Sequence, residues 1–313
     1  MMDALQRNDE RPARNRKWER GRQRVFRTLR AGLISLAIAA LSFGLISCAT
    51  GCVADSIIFQ PPGGSPQPPD VTMLEVEPGI RIAVRYSPPP ENGVVLLYSH
   101  GNAEDLGMIR YRMKQYVERG CGIAAYDYEG YGQSGGTPSE SATYRDIERV
   151  WTWLVEEQKI APESIVIHGF SLGTGPSCHL AEKVKARALV LEAPFLSTFA
   201  VAGMDFLPFD RFPNIDRIAK IEMPLLIIHG DADRIIPHAH GEKLFEAANE
   251  PKKFYTVEGA GHNNILLKAG ERYWMTLKEF LDSAPAASAP AASASPGGDG
   301  RETAPYDSAM TAS

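Results

Sequence analysis

Residues 164–173 read Ser-Ile-Val-Ile-His-Gly-Phe-Ser-Leu-Gly. Ile165, Val166 and Ile167 form a short β-branched run of the kind found in a strand buried on both faces. The run breaks at Gly169-Phe170-Ser171-Leu172-Gly173, a G-x-S-x-G element, and the next stretch, Leu172 to about Val184, carries Leu180 and Val184 at helical spacing. A serine on such a strand-to-helix turn sits in a strained backbone with its hydroxyl exposed. The flanking glycines are required because a Cβ there meets neighbouring backbone. G-x-S-x-G alone is weak evidence, and a plain helix-capping serine is the alternative. The strand before it and the helix after it point to Ser171 as a nucleophile.

Working outward, apolar runs and helical patterns alternate along the middle of the chain. Thr72–Val76 and Ile80–Tyr86 read as strands of a hairpin around Pro78-Gly79. A buried strand follows at Gly93–Tyr98, and further strands at Ile123–Tyr126, Ala188–Leu191, Pro224–Ile228 and Phe254–Val257. Helices are expected over Leu106–Val117, Ser139–Glu157 (with Val150, Trp151 and Leu154 facing inward), His238–Ala248 and Lys268–Leu281. This alternation predicts an α/β fold, a mainly parallel sheet covered by helices on both faces. Reactive groups of such a sheet collect beyond the carboxyl ends of its strands.

A serine hydroxyl needs a base, and the base needs an orienting carboxylate. Two later loops supply candidates: His229-Gly230-Asp231-Ala232-Asp233-Arg234-Ile235-Ile236-Pro237 and Glu258-Gly259-Ala260-Gly261-His262-Asn263-Asn264. The order that results is Ser171, Asp233, His262. Rival histidines are His229 at a strand end and His238 and His240 at a helix start. His238, His240 and Asp231 also make a conceivable metal site. Asp127 and Ser134, in Asp-Tyr-Glu-Gly-Tyr-Gly-Gln-Ser, are further polar candidates.

In sequence order the chain carries H-G-N-A (100–103), D-Y-x-G-Y-G-x-S (127–134), G-x-S-x-G (169–173), H-G-x-x-D-x-x-x-P (229–237) and G-H (261–262). On these motifs, residues 70 to 283 resemble the α/β-hydrolase superfamily. The runs Ser99–Gly107 and Tyr126–Gly132 resemble in particular its protein-depalmitoylating members and their bacterial relatives. The resemblance implies an eight-stranded sheet with a small cap insertion, no metal or organic cofactor, and an ester- or thioester-cleaving serine hydrolase. It places the nucleophile at Ser171, the base at His262 and the acid at Asp233, with Asp231 left to cap its turn. It gives the oxyanion donors as the backbone N–H groups of Leu172 and Asn102, and makes the Asp127–Ser134 loop structural. The irregular stretch from Leu191 to Met223, with Phe195, Phe199, Met204, Phe206, Leu207, Phe209 and Phe212, is the expected cap (about 193–222). Its apolar side chains either line an acyl pocket or pack the insertion on the body.

The ends of the chain differ from its middle. Residues 1–30 hold ten Arg and Lys against four Asp and Glu, a net charge of +6, and residues 31–47 are uncharged and mostly apolar. The whole chain carries −5, which leaves −11 from residue 48 onward and argues against nucleic-acid binding. Seventeen apolar residues suit the core of a signal peptide better than a spanning helix. Leu45-Ile46-Ser47-Cys48 resembles a bacterial lipobox, with lipidation expected at Cys48. An uncleaved N-terminal anchor is the alternative, and a buried core helix the third. On either leading reading the protein is a membrane-tethered envelope enzyme acting on a small or acylated substrate. Residues 48–70 read as a linker, 71–283 as the catalytic domain, and 284–313, rich in Ala, Ser and Pro, as a disordered tail. Cys121 and Cys178 read as buried thiols, a disulfide between them being the alternative. The competing functions are a peptidase or amidase on the same fold and a non-catalytic envelope binding protein.

Overall fold

The apolar runs pair into one sheet of eight strands in a computed structural model that describes residues 55–63, 65–204 and 210–284. The order is β1-β2-β4-β3-β5-β6-β7-β8. Strand β1 (Thr72–Glu77) pairs antiparallel with β2 (Ile80–Ser87), which is the hairpin expected around Pro78-Gly79. β2 in turn lies antiparallel to β4 (Gly122–Tyr126). From there β3 (Val95–Ser99), β5 (Ile165–Phe170), β6 (Ala188–Glu192), β7 (Leu225–Gly230) and β8 (Lys252–Val257) all run parallel.

Successive side chains of a strand point to opposite faces, so a run with no polar gaps needs cover on both sides. Leu97, Ile165 and Ile167 pack into one layer of the core, while Leu96, Tyr98 and Val166 pack into the other. The first layer is closed by α2 (Glu140–Thr152), α3 (Thr174–Ala181), α5 (Asn214–Ile218) and α6 (Ala239–Ala247), through Ile147, Val150, Cys178, Leu180, Ile218 and Leu244. The second is closed by α1 (Arg110–Glu118), α7 (Ile265–Ala269) and α8 (Glu271–Ser283), through Met113, Tyr116, Ile265, Tyr273, Trp274 and Leu277. Cys178 belongs to the first layer and Cys121 packs on the second, so the sheet separates them and both are free thiols.

Several helix ends differ from expectation for local reasons. Ser139 caps α2 by accepting the Ala142 N–H, and the helix then widens into a π-helical turn over Trp153–Glu157. α1 starts at Arg110, after a turn in which Gly107 lies against the Pro66 carbonyl; a Cβ there would come within 2.4 Å of it. The single helix expected over Lys268–Leu281 is two helices, broken at Gly270, whose φ of 52° an L side chain rarely adopts.

Of the expected cap, α4 (Thr198–Val201) and α5 are regular, while Phe206, Leu207 and Phe209 lie outside the described residues. Phe212 and Phe195 are buried: Phe212 fills the space over Gly175 of α3 and meets Phe59, Tyr144 and Phe195 edge-on. These rings pack the insertion onto the body. Of the stretch expected as a linker, residues 55–63 and 65–70 lie within the described structure, and Phe59 is buried in the core. Cys48, the apolar segment 31–47 and the tail after residue 284 lie outside it. Among the described residues no helix is long and apolar enough to cross a membrane.

Candidate active site

Ser171 stands at the end of β5 with φ of 51°, a left-handed conformation that a non-glycine residue adopts only when its surroundings impose it. The imposition comes from two close approaches. A Cβ on Gly169 would lie 2.4 Å from the Gly173 carbonyl oxygen, and one on Gly173 would lie 2.1 Å from that of Ser99. The turn is therefore pressed against its own helix and against the end of β3. It leads through a 3-10 turn at Ser171–Gly173 into α3, and the Thr174 hydroxyl donates to the Ser171 carbonyl at 2.7 Å.

The loops after β7 and β8 bring the other two groups to this serine. Ser171 Oγ lies 2.8 Å from His262 Nε2, and His262 Nδ1 lies 2.7 Å from Asp233 Oδ2. All three residues are buried to within a tenth of their surface. The second carboxylate oxygen, Oδ1, accepts the N–H groups of Ile235 and Ile236 at 2.8 and 2.9 Å, which fixes the plane of the carboxylate. Burial alone would raise the Asp233 carboxyl. The nearby His229 Nε2–H, which the carboxylate shares with the Ile236 carbonyl, the hydrogen bond with His262 and the Ile236 N–H outweigh burial and hold the group well below the usual carboxylate range. Asp233 is thus an anion facing His262 Nδ1, which places the ring proton there and makes Nε2 the acceptor in its contact with the Ser171 hydroxyl.

The rival candidates have other duties. Asp231 accepts the Gly259 N–H at 2.7 Å and so ties the β7 and β8 loops together. His229 donates through Nε2 to the Ile236 carbonyl at 3.0 Å, with Asp233 Oδ2 3.5 Å away. His238 meets Thr256 and Glu242, and His240 Nδ1 accepts the Leu196 N–H. His238, His240 and Asp231 therefore serve three separate contacts, and among the described residues no cluster could hold a metal ion. Asp127 accepts the Leu106 N–H at 2.8 Å, and Ser134 bridges the Asp127 carbonyl and the Ala83 N–H. That loop is structural.

Beside Ser171 runs the loop His100–Glu104. Gly101 lies on the Phe170 ring, where a Cβ would come within 2.9 Å, and its N–H donates to Glu104 Oε2 at 2.8 Å. The next amide along is that of Asn102. The Asn102 side chain is held at both ends: Oδ1 accepts the Gln60 N–H and the Tyr131 hydroxyl at 3.0 and 2.7 Å, and Nδ2 donates to the Ile58 carbonyl.

A buried polar cluster behind the site has no local sequence signature. Glu192, at the end of β6, receives both Arg112 nitrogens at 2.7 and 3.2 Å and the Tyr273 hydroxyl at 3.0 Å. Tyr116 joins Tyr273 to His168 Nδ1. The Arg112 guanidinium lies 5.3 Å from the Phe170 ring centroid, and the His262 ring lies at the same distance from it. Burial would raise Glu192, but Arg112 overrides it and brings the carboxyl down to about 2. A carboxyl depressed in the folded state adds stability above its unfolded value of 4.5 and loses it as pH falls toward 2. Glu192→Gln should therefore lower stability at neutral pH by about 3–5 kcal/mol, the cost of breaking a buried pair. It should also flatten the fall in stability between about pH 4.5 and pH 2. Urea denaturation of both proteins from neutral pH down through that range measures the two effects together.

Taken with the sheet order, the Ser171–His262–Asp233 array puts the protein among the serine hydrolases of the α/β-hydrolase fold. The family described as Serine aminopeptidase, S33 matches residues 89–206 and 214–266, and the chain belongs to that family. It is 43% identical over 219 residues to human alpha/beta hydrolase domain-containing protein 17B, covering 67% of this chain and 74% of the relative. To the mouse protein 17C it is 40% identical over 61% of each chain. Among solved structures, an esterase from Pyrococcus furiosus superposes with a TM-score of 0.60 at 17% identity, over 72% of this chain and 98% of the other. A puromycin-hydrolyzing peptidase of Mycobacterium tuberculosis superposes at 0.58 with 16% identity, over 68% and 39%. At such identities the structures attest the fold alone.

Proposed function

We propose that this serine hydrolase cleaves a carboxylic ester or thioester through an acyl-enzyme on Ser171. The observation that carries the reading is the unbroken line from Asp233 through His262 to a serine held at φ 51°. His262 Nε2 takes the Ser171 proton as Oγ attacks the acyl carbon, then returns it to the leaving alcohol or thiol. In the second half-reaction His262 activates water, which releases the acid and frees Ser171. Asp233 keeps the proton of His262 on Nδ1 and stabilises the imidazolium that forms.

The tetrahedral oxyanion takes two backbone donors: the N–H of Leu172, directly after the nucleophile, and the N–H of Asn102. Engagement of the Gly101 N–H by Glu104 supports Asn102 as the donor this loop offers. Each such donor contributes about 3 kcal/mol to the transition state. Phe170 and Leu172, on either side of Ser171 in sequence, would supply apolar surface to an acyl group.

The family's description as a serine aminopeptidase favours the second reading, an amide-cleaving enzyme. A series of p-nitrophenyl acyl esters from two to sixteen carbons, run beside aminoacyl anilides, separates the two. Ester turnover exceeding anilide turnover by decades is the expected result, and the reverse preference assigns a peptidase. A protein that neither turns over nor reacts with a fluorophosphonate is a binding protein on a hydrolase scaffold.

The proposed setting is a membrane surface, with the chain tethered near Cys48; the basic residues 1–30, the apolar residues 31–47 and the lipobox-like Leu45–Cys48 support it. A mature N-terminus at Cys48 carrying lipid, and loss of that lipid in Cys48→Ala, are the expected findings by mass spectrometry. An intact leader on a membrane-bound protein would assign the uncleaved anchor instead.

A further inference from the structure

The described chain starts at Asp55, and its first residues do not hang from the body as a linker would. Residues 55–58 form one helical turn, Phe59 is buried against the Phe212 ring, and Asp55 pairs with Arg211 at 3.4 Å. From there the backbone crosses to the loop that follows β3. The Gln60 N–H is shared between Asn102 Oδ1 and the Tyr131 hydroxyl, each at 3.0 Å, while Tyr131 itself donates to Asn102 Oδ1. Asn102 Nδ2 donates to the Ile58 carbonyl. Further along, Ser65 and Gln67 both donate to Asp105 Oδ2, and Gln133 Nε2 donates to the Pro68 carbonyl.

The orientation of the Asn102 amide is fixed by its partners. Backbone N–H groups of Gln60 and Ala103 can only donate, so the atom they reach is the oxygen. The Ile58 carbonyl can only accept, so the atom facing it is the nitrogen. A side chain gripped at both ends leaves the residue little freedom about its own backbone, and in this molecule that backbone carries the N–H assigned to the oxyanion.

We infer that residues 55–60 are a positioning strap for the active site: by gripping the Asn102 side chain from outside the catalytic domain, they aim the Asn102 N–H at the developing oxyanion. The inference rests on the proposed function above, which gives Asn102 its donor role. Asn102's side chain is a positioning group here; its backbone is the catalytic one. Oxyanion donors act through placement, and a donor that must find its place during the reaction loses part of its effect.

The test uses the full-length protein and reads a transition-state signature. A trifluoromethyl ketone with the best acyl chain forms a tetrahedral adduct on Ser171 and needs the oxyanion donors as the reaction does. Gln60→Pro removes the strap's N–H, and Tyr131→Phe removes the bridging hydroxyl with little change of shape. Asn102→Ala removes the gripped amide while keeping the backbone N–H.

Asn102→Ala and Gln60→Pro should each lower kcat by ten- to a hundredfold, with KM within about threefold of the parent. Ketone affinity should fall by the same factor as kcat/KM. Tyr131→Phe should show the same pattern at about three- to tenfold. The Asn102→Ala/Gln60→Pro double variant should lose little more than either single variant, since both open one clamp. If Tyr131→Phe and whichever other variants fold keep kcat and ketone affinity within twofold, the strap does not position the donor and the inference falls. A loss confined to melting temperature or KM overturns it as well, because that assigns the strap a purely structural part. Failure of the underlying reading looks different: the parent protein itself would then show no ketone adduct and no Ser171-dependent turnover.

Discussion

Ser171→Ala abolishes fluorophosphonate labelling and lowers ester turnover by about five to six decades, the loss expected when a member of a unit of three is removed. The reason is local. Oγ is the group facing His262 Nε2, and the neighbouring Thr174 hydroxyl is turned away, donating to the Ser171 carbonyl. The flanking positions are Phe170 and Leu172, which offer no nucleophile. His262→Ala costs about as much, and the Ser171→Ala/His262→Ala double variant adds little, since such losses do not sum. Melting temperature changes little in Ser171→Ala, because a methyl group replaces a hydroxymethyl without opening a cavity. Retention of full activity in that variant would remove the site from this turn of the fold.

The second large effect separates two carboxylates two residues apart. Asp233→Asn lowers kcat by on the order of 10⁴, by analogy with the buried aspartate of the serine proteases. An amide at this position can present its NH₂ to Nδ1 and so leave the proton on Nε2, the atom that must accept from Ser171. Asp231→Asn keeps an oxygen able to accept the Gly259 N–H, so it changes kcat by less than about tenfold. Circular dichroism of both variants, run beside the kinetics, shows that each is folded. An inactive Asp231→Asn with an active Asp233→Asn would reverse the assignment, against the 2.7 Å contact between Asp233 and His262.

Much of this arrangement is legible before any coordinates, because a parallel sheet writes itself locally. Runs such as Ile165–Ile167 and Leu225–Ile228 have no polar gaps, since both faces of the strand are covered. The reactive groups follow in loops at strand ends, each marked by Gly beside His, Asp or Ser. The order Ser171, Asp233, His262 is readable for that reason. Their spacing is not: 91 residues separate Ser171 from His262, and only the sheet order brings them to 2.8 Å.

What escaped the sequence is long-range and carries no pattern. Arg112 and Glu192 stand 80 residues apart, one on a helix with mixed polar neighbours and the other at the end of an apolar strand. Nothing local to either names its partner. The break at Gly270 was readable in principle, since a lone glycine in a helical pattern is a candidate stop. Its positive φ ends the short helix Ile265–Ala269 and lets a new one start at Glu271, a break that the apolar spacing on either side does not show. Residues 55–60 fall in the stretch 48–70 expected as a linker, although Ile57, Ile58 and Phe59 are apolar; the partners of Gln60, Asn102 and Tyr131, lie 42 and 71 residues on.

That early docking sets a length scale for the enzyme's working environment. Asp55 is tied to the body, and only six residues, seven Cα–Cα steps, lie between it and Cys48. Fully extended, they reach about 25 Å, less than the body's own width on the order of 40 Å for a domain of this size. With lipid on Cys48, the catalytic mouth would patrol a disc of bilayer rather than a volume of solvent. Substrates sharing that leaflet would be met at local concentrations in the millimolar range, as for any pair joined by a short leash, while the same ester dissolved in bulk would gain nothing. Encounter would then depend on lateral diffusion and crowding in the plane, so dilution of the surface with inert lipid would slow turnover where dilution of the solution would not.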